Sequence, residues 1–148
     1  MRKAVIEGER QAALVEVTDP VPRQDWVVVE VKAAPMCTEY KGFVAGNRAV
    51  HLGHEAAGVV AAVAQPGRVQ VGDRVAVMPQ YPCGVCQLCI CGDYIHCESV
   101  VDFDTFPEGG EGRATMAQYL LKPDWLLPAI PEQVSFEQGG MACCGLGP

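Results

Sequence analysis

Five of the chain's eight cysteines, Cys83, Cys86, Cys89, Cys91 and Cys97, fall within fifteen consecutive residues. Two Cys-x-x-Cys steps share Cys86, and Cys97 returns eight residues after Cys89. A Cys-x-x-Cys step turns two sulfurs toward one ion, and Gly84 lets the chain bend between the first pair. Four thiolates forming a closed tetrahedron about 2.3 Å from the metal make a structural zinc site. That metal would supply folding energy to a loop with few apolar residues. Cys89 and Cys91 are too close in sequence to share one tetrahedron comfortably. The expected ligands are therefore Cys83, Cys86, Cys89 and Cys97, with Cys91 a free thiol; His96 is a substitute ligand candidate, although a surface histidine is the simpler reading. Disulfides are the competing reading, but redox Cys-x-x-Cys pairs accompany a βαβ context that is missing here.

A second group of chemically able residues is scattered. Gly53-His54-Glu55 precedes an apolar run, and Cys37 lies seventeen residues before His54. Met141-Ala142-Cys143-Cys144 adds two further thiols near the other end. Imidazole and thiolate are both good zinc ligands. A lone histidine in apolar surroundings is more often just hydrogen-bonded in place. His54 stands out because a carboxylate follows it and a solitary cysteine precedes it.

These residues must be positioned by short strands. Lys3–Glu7, Ala12–Val17, Trp26–Ala34, Ala57–Ala64, a strand after Gly72-Asp73, Met116–Leu121 and Trp125–Ile130 all read as β, punctuated by Gly and Pro. Trp26–Ala34 alternates, with Val27, Val29, Val31 and Ala33 on one face. Cys37–Val44 reads as a short helix. Ser135, with Gln138 three residues on, signals the start of another over Ser135–Cys143, although Gly139-Gly140 weakens it. The stretch from Pro79 to Gly112 lacks periodicity. Many short strands with Gly and Pro turns imply a small barrel or sandwich.

Composition bounds the function. The chain has 148 residues, 49% hydrophobic and 20% charged, with a net charge of 11 − 18 = −7. That describes about one globular domain. The acidic balance argues against nucleic acid, as does finding only Arg68 and Arg74 as cations between Ala49 and Val100. The longest apolar run, Ala56–Ala64, is too short to span a bilayer. No cleavable leader is visible at Met1-Arg2-Lys3, so a cytoplasmic location is expected. Gly145-x-Gly147 begins but does not complete a dinucleotide-binding pattern.

The ordered set of motifs resembles the zinc-dependent medium-chain alcohol dehydrogenases. It comprises Cys37, Gly53-His54-Glu55-x-x-Gly58-x-Val60, Val71-Gly72-Asp73-Arg74-Val75, the Cys83/Cys86/Cys89/Cys97 lobe, Ala117-Gln118-Tyr119 and Ile130-Pro131-Glu132. The resemblance covers essentially the whole chain. It implies a mainly β fold, a GroES-like, partly open β-barrel with short helices and a zinc-stapled lobe over about 79–112. It also implies that residues 1–148 are an incomplete catalytic domain, whose Rossmann partner holding NAD or NADP is absent from the chain. Two zincs are expected, one structural and one catalytic. Cys37 and His54 match two catalytic ligands, and the family's Cys-x-Gly pattern favours Cys143 over Cys144 as the third. Glu55 matches a carboxylate beside the metal, either supporting the ligands or exchanging in as one.

The resemblance implies that a small alcohol is held as its alkoxide at the zinc's open position and gives hydride to NAD(P), forming an aldehyde or ketone. A homo-oligomer is implied for the full-length enzyme, and this chain alone is expected to be inactive. One departure is that Thr38-Glu39 follows Cys37 directly, without the family's spacer. Thr38 is thus a proton-relay candidate and equally a helix cap, and His51 is a second relay candidate. The alternative function is a zinc-stapled scaffold or binding module without catalysis, which would give Cys37, His54 and Cys143 no reason to converge.

Overall fold

A computed structural model describes residues 1–106 and 111–146. Gly147-Pro148, which includes the second glycine of the incomplete Gly145-x-Gly147 pattern, and the part of the lobe at 107–110 lie outside the described residues. The fold is mainly β, in two open sheets. Strands β1 (Arg2–Gly8) and β2 (Gln11–Glu16) form an antiparallel ribbon. Strands β3 (Trp26–Ala33), β4 (Ala56–Ala62), β5 (Arg74–Val77) and β6 (Tyr119–Pro123) form an antiparallel sheet in the order β5–β4–β3–β6. The sheets are stitched at one seam. Gln118 N–H donates to Arg2 O (3.0 Å), while Gln118 O accepts from Val31 N–H (2.9 Å). This gives a partly open barrel. Among the described residues no helix is long and apolar enough to cross a membrane.

The alternation in β3 buries Val27 and Val29 against Ala56, Val60, Val75, Val77, Leu120 and Leu127. Trp26 at the start of β3 stacks on Tyr81 (6.0 Å between centroids) and meets Phe103 and Phe106 edge-on. This aromatic group ties the irregular stretch after Pro79 to the sheet. Lys122 is fully buried behind it. Its Nζ donates to Gln80 O at 2.6 Å and lies 3.4 Å from the Tyr81 ring centroid. Burial pulls its pKa down to about 7, against an opposing pull from Cys143.

Trp125–Ile130 departs from the expected strand. Asp124–Leu126 forms a 3₁₀ turn, after which the chain runs beside β5 as isolated pairing, with Met78 N–H to Leu126 O and Ala76 N–H to Pro128 O. Pro128 has no N–H to return, so a regular ladder cannot form.

Three short helices matter to the site. Helix α1 (Glu39–Ala45) begins two residues after Cys37. Helix α2 (Gln87–Ile90) lies inside the cysteine lobe. Helix α3 (Phe136–Gly140) starts at a capping box, in which Ser135 Oγ accepts from Gln138 N–H and Gln138 Oε1 accepts from Ser135 N–H. The glycines that weaken α3 as an isolated helix let it sit close to the sheet. A Cβ on Gly139 would meet Ile130 Cδ1 at 2.5 Å. This packing on Ala57, Ala76 and Ile130 carries the residues after α3 toward β4.

Candidate functional site

The lobe brings Cys83, Cys86, Cys89 and Cys97 together, with all four sulfurs within 4.8 Å of one another. Sulfurs about 2.3 Å from a central zinc stand about 3.8 Å apart at the edges of a tetrahedron. Here Cys86 Sγ lies 3.5 Å and Cys83 Sγ 3.9 Å from Cys89 Sγ. Backbone N–H groups point at the sulfurs, Cys86 N–H at Cys83 Sγ and both Cys83 N–H and Ser99 N–H at Cys97 Sγ. The N–H groups of Cys89 and Glu98 lower the Cys86 thiol to about 6, whereas burial, with the neighbouring thiols, pushes Cys89 up. A turn that presents donors to sulfur is prepared for thiolates, and the donor set fits zinc. Cys91 is exposed and bonded by Gln87 Nε2, outside the group. His96 is also outside it, paired with Asp93.

A second cluster forms from residues far apart in the chain. One ligand atom each from Cys37, His54, Glu55 and Cys144 lie within 4.8 Å of one another. Cys37 Sγ and Cys144 Sγ are 3.7 Å apart, again about a tetrahedral edge. Cys37 comes from the turn between β3 and α1. His54 and Glu55 come from the lead-in to β4, and Cys144 from the turn after α3. Gly53 makes the lead-in possible. Its φ is +89°, and a Cβ there would meet Thr115 Oγ1 at 2.3 Å, so only glycine brings His54 in over Thr115.

The cluster's polar contacts fix its geometry. Glu39, the first residue of α1, accepts from Cys37 N–H through Oε2 (2.9 Å) and meets His54 Nδ1 through Oε1 (2.5 Å). With Nδ1–H held on a carboxylate, Nε2 keeps its lone pair and faces Glu55 Oε2 at 3.9 Å. Burial raises the Glu39 pKa, but its backbone hydrogen bonds and His54 outweigh that and leave it below the ordinary carboxylate value. Glu55 is 1% exposed, and its Oε1 accepts from Cys144 N–H at 2.8 Å. Two sulfurs, an imidazole nitrogen and a carboxylate around one point fit zinc.

One expectation is corrected. Cys144, not Cys143, brings its sulfur to the cluster. Cys143 Sγ turns inward, to Met78 Sδ (3.6 Å) and Val77 O (4.0 Å). The two neighbours leave the turn in opposite directions, and the Glu55–Cys144 hydrogen bond fixes which one faces the cluster. Thr38 is exposed at the N-cap position of α1, makes no capping hydrogen bond through its side chain and is not part of the cluster. Glu39 is the residue whose role sequence reasoning missed. Its signal was its place in the Thr38-Glu39 pair.

Known proteins resemble this chain. Residues 23–132 match the alcohol dehydrogenase GroES-like domain. The chain belongs to the zinc-dependent medium-chain alcohol dehydrogenase family. A zinc-type alcohol dehydrogenase-like protein of Escherichia coli K12 is 30% identical over 94% of this chain and 42% of its own length. Sorbitol dehydrogenase of Bacillus subtilis is 32% identical over 95% of this chain and 41% of its own. A structure described as a short chain alcohol dehydrogenase of E. coli CFT073, in complex with NADH, matches with a TM-score of 0.74 at 29% identity, covering 95% of this chain and 41% of that one. The chain therefore spans about two fifths of the length of these family members.

Proposed function

We propose that this chain is the catalytic domain of a zinc-dependent oxidoreductase that interconverts a small alcohol with its aldehyde or ketone, using NAD or NADP. The observation that carries this reading is the convergence of Cys37, His54, Glu55 and Cys144 from three separate parts of the chain. A scaffold needs one stapled lobe. It has no use for a second set of ligands, oriented by a buried carboxylate, on the edge of a cleft.

In this reading Cys37, His54 and Cys144 would hold a catalytic zinc, and Cys83, Cys86, Cys89 and Cys97 a structural one. Zinc bound at the first set supplies Lewis acidity that lowers the pKa of a substrate hydroxyl. The chain's own residues do the positioning. Glu39 fixes the tautomer and ring plane of His54, keeping Nε2 available as a ligand. Glu55, anchored by Cys144 N–H, places a negative charge beside the reacting hydroxyl's site and stands ready as a fourth ligand. Two thiolates would balance the charge of a bound zinc, so that the Glu55 carboxylate would be the remaining charge beside the hydroxyl. The nicotinamide cofactor is assigned to a Rossmann domain outside residues 1–148, in keeping with the greater length of the relatives. Eight cysteines with no disulfide among them fit a reducing cytoplasm.

The test is steady-state alcohol oxidation with NAD⁺ or NADP⁺ by the enzyme containing this domain, with zinc measured on the same samples. His54→Ala should remove both the second zinc and turnover, and Glu55→Gln should slow turnover while keeping zinc. A wild-type enzyme that holds two zincs, binds NAD(P) and oxidises nothing across a broad alcohol panel would favour the scaffold reading.

A further inference from the structure

A cleft of about 570 Å³ opens beside His54, within the size range of small-molecule sites. Val101, Phe103 and Tyr81 give it an apolar wall, and His51, Thr115 and Arg113 add polar groups. No described residue lining it carries a carboxylate. In a chain of net charge −7, such a wall is unexpected by composition.

Two atoms in this wall lack partners. Arg113 Nε and Thr115 Oγ1 are buried and make no hydrogen bond among the described residues. Thr115 is 2% exposed and lies directly beneath Gly53, the residue before His54. Buried polar groups without partners are costly, and a native structure that keeps them does so for a reason. Arg113 is also held in place. Its backbone carbonyl accepts from the Tyr81 hydroxyl (3.5 Å), which bonds Leu121 O as well (3.3 Å), and its guanidinium lies 5.9 Å from the Phe103 ring centroid. A guanidinium is always charged, and its fork of N–H donors matches the two oxygens of a carboxylate or phosphate.

We propose that Arg113, with Thr115, makes this cleft selective for a substrate carrying an anionic group, carboxylate or phosphate, at the end remote from the reacting hydroxyl. His54 is shared by the cleft and the ligand cluster. A molecule whose hydroxyl sits at the cluster can therefore extend along the cleft to Arg113. The inference rests on the proposed function only for what happens at the hydroxyl end. The anion subsite itself stands on Arg113 and Thr115.

The experiment uses three ligands that differ only at one end, glycerol, glycerate and glycerol 3-phosphate. They are titrated into the zinc-loaded chain by calorimetry, while the amide resonances of Gly53 and Arg113 are followed. At least one of the anions should bind about tenfold or more tightly than glycerol, as expected for a hydrogen bond to a charged group. The tighter of the two identifies the anionic group. Arg113→Gln should remove the preference without changing the melting temperature, and Arg113→Lys should restore part of it. Equal binding of all three ligands, no saturable binding of either anion at millimolar concentration, or unchanged anion binding in a folded Arg113→Gln protein would overturn the proposal. The Cys144→Ser variant separates this inference from the proposed function. It should lose the second zinc and keep the preference for anions, which upholds the anion subsite whatever becomes of the oxidoreductase reading, whereas loss of the preference in this variant, still folded, would overturn the subsite as an independent feature.

Discussion

The four sulfurs of the lobe come from one stretch of fifteen residues, whereas Cys37 and Cys144 of the second cluster are 107 positions apart. Both clusters satisfy the same tetrahedral spacing, yet they depend on different things. The lobe is its own scaffold. One turn of helix, a glycine bend and backbone N–H groups aimed at sulfur hold it, with Trp125 packed against Gly84 and Tyr94 as its apolar support. The second cluster is built by the fold, by a β3 turn, a glycine-dependent approach to β4 and a helix packed through its glycines. Metal should therefore hold the lobe's structure, while the barrel's structure should hold the second metal.

That contrast breaks most visibly in the lobe. Cys83→Ser or Cys97→Ser should cost one zinc per chain and unfold the loop, freeing the buried Cys89 beside the already exposed Val85, Ile90 and Ile95, so aggregation should rise sharply in light scattering. Structural zinc in small folded units contributes on the order of 10 kcal/mol, far more than any single contact here. A strong chelator should have the same effect on the wild-type chain.

Next in size is loss of the second metal with the fold kept. His54→Ala and Cys144→Ser should each release one zinc while the melting transition of the barrel persists. Glu39→Gln should be milder, lowering zinc affinity about 10–100-fold, the usual cost of losing a partner that orients a metal-bound histidine. Glu39 also links the site to acidity. Its pKa is depressed in the folded chain, so its contribution is present above the unfolded carboxylate value and is lost as pH falls through its folded value. The metal-free barrel should lose stability in that acidic window, and Glu39→Gln should flatten the loss, as read by thermal melts across pH. The smallest effect is at the cap. Ser135→Ala should cost about 1 kcal/mol of stability in denaturant unfolding, and it should loosen the second site, because α3 delivers Cys144.

How much of this was readable follows from the same contrast. Ligand spacing is local, so the sequence was enough to single out the lobe's four cysteines and to leave Cys91 aside. The Ser135 and Gln138 pattern was likewise local, and the capping box is present. The strand pattern of β3 and β4 followed from alternating or continuous apolar runs. What failed was set by tertiary packing. Cys143 and Cys144 are adjacent, and only the Glu55 carboxylate waiting beneath the turn decides between them. The role of Glu39 needed the His54 ring beside it, fifteen positions away. The run from Trp125 to Ile130 had the right composition for a strand, but Pro128 left its pairing with β5 incomplete.

The most direct measurement is zinc stoichiometry by native mass spectrometry on the wild-type, Cys143→Ser and Cys144→Ser chains, prepared in parallel under reducing conditions. Two clusters, with Cys144 in the second, predict two zincs for wild type, two for Cys143→Ser and one for Cys144→Ser. A single zinc in the wild-type chain, or loss of zinc from Cys143→Ser with two retained in Cys144→Ser, would contradict it.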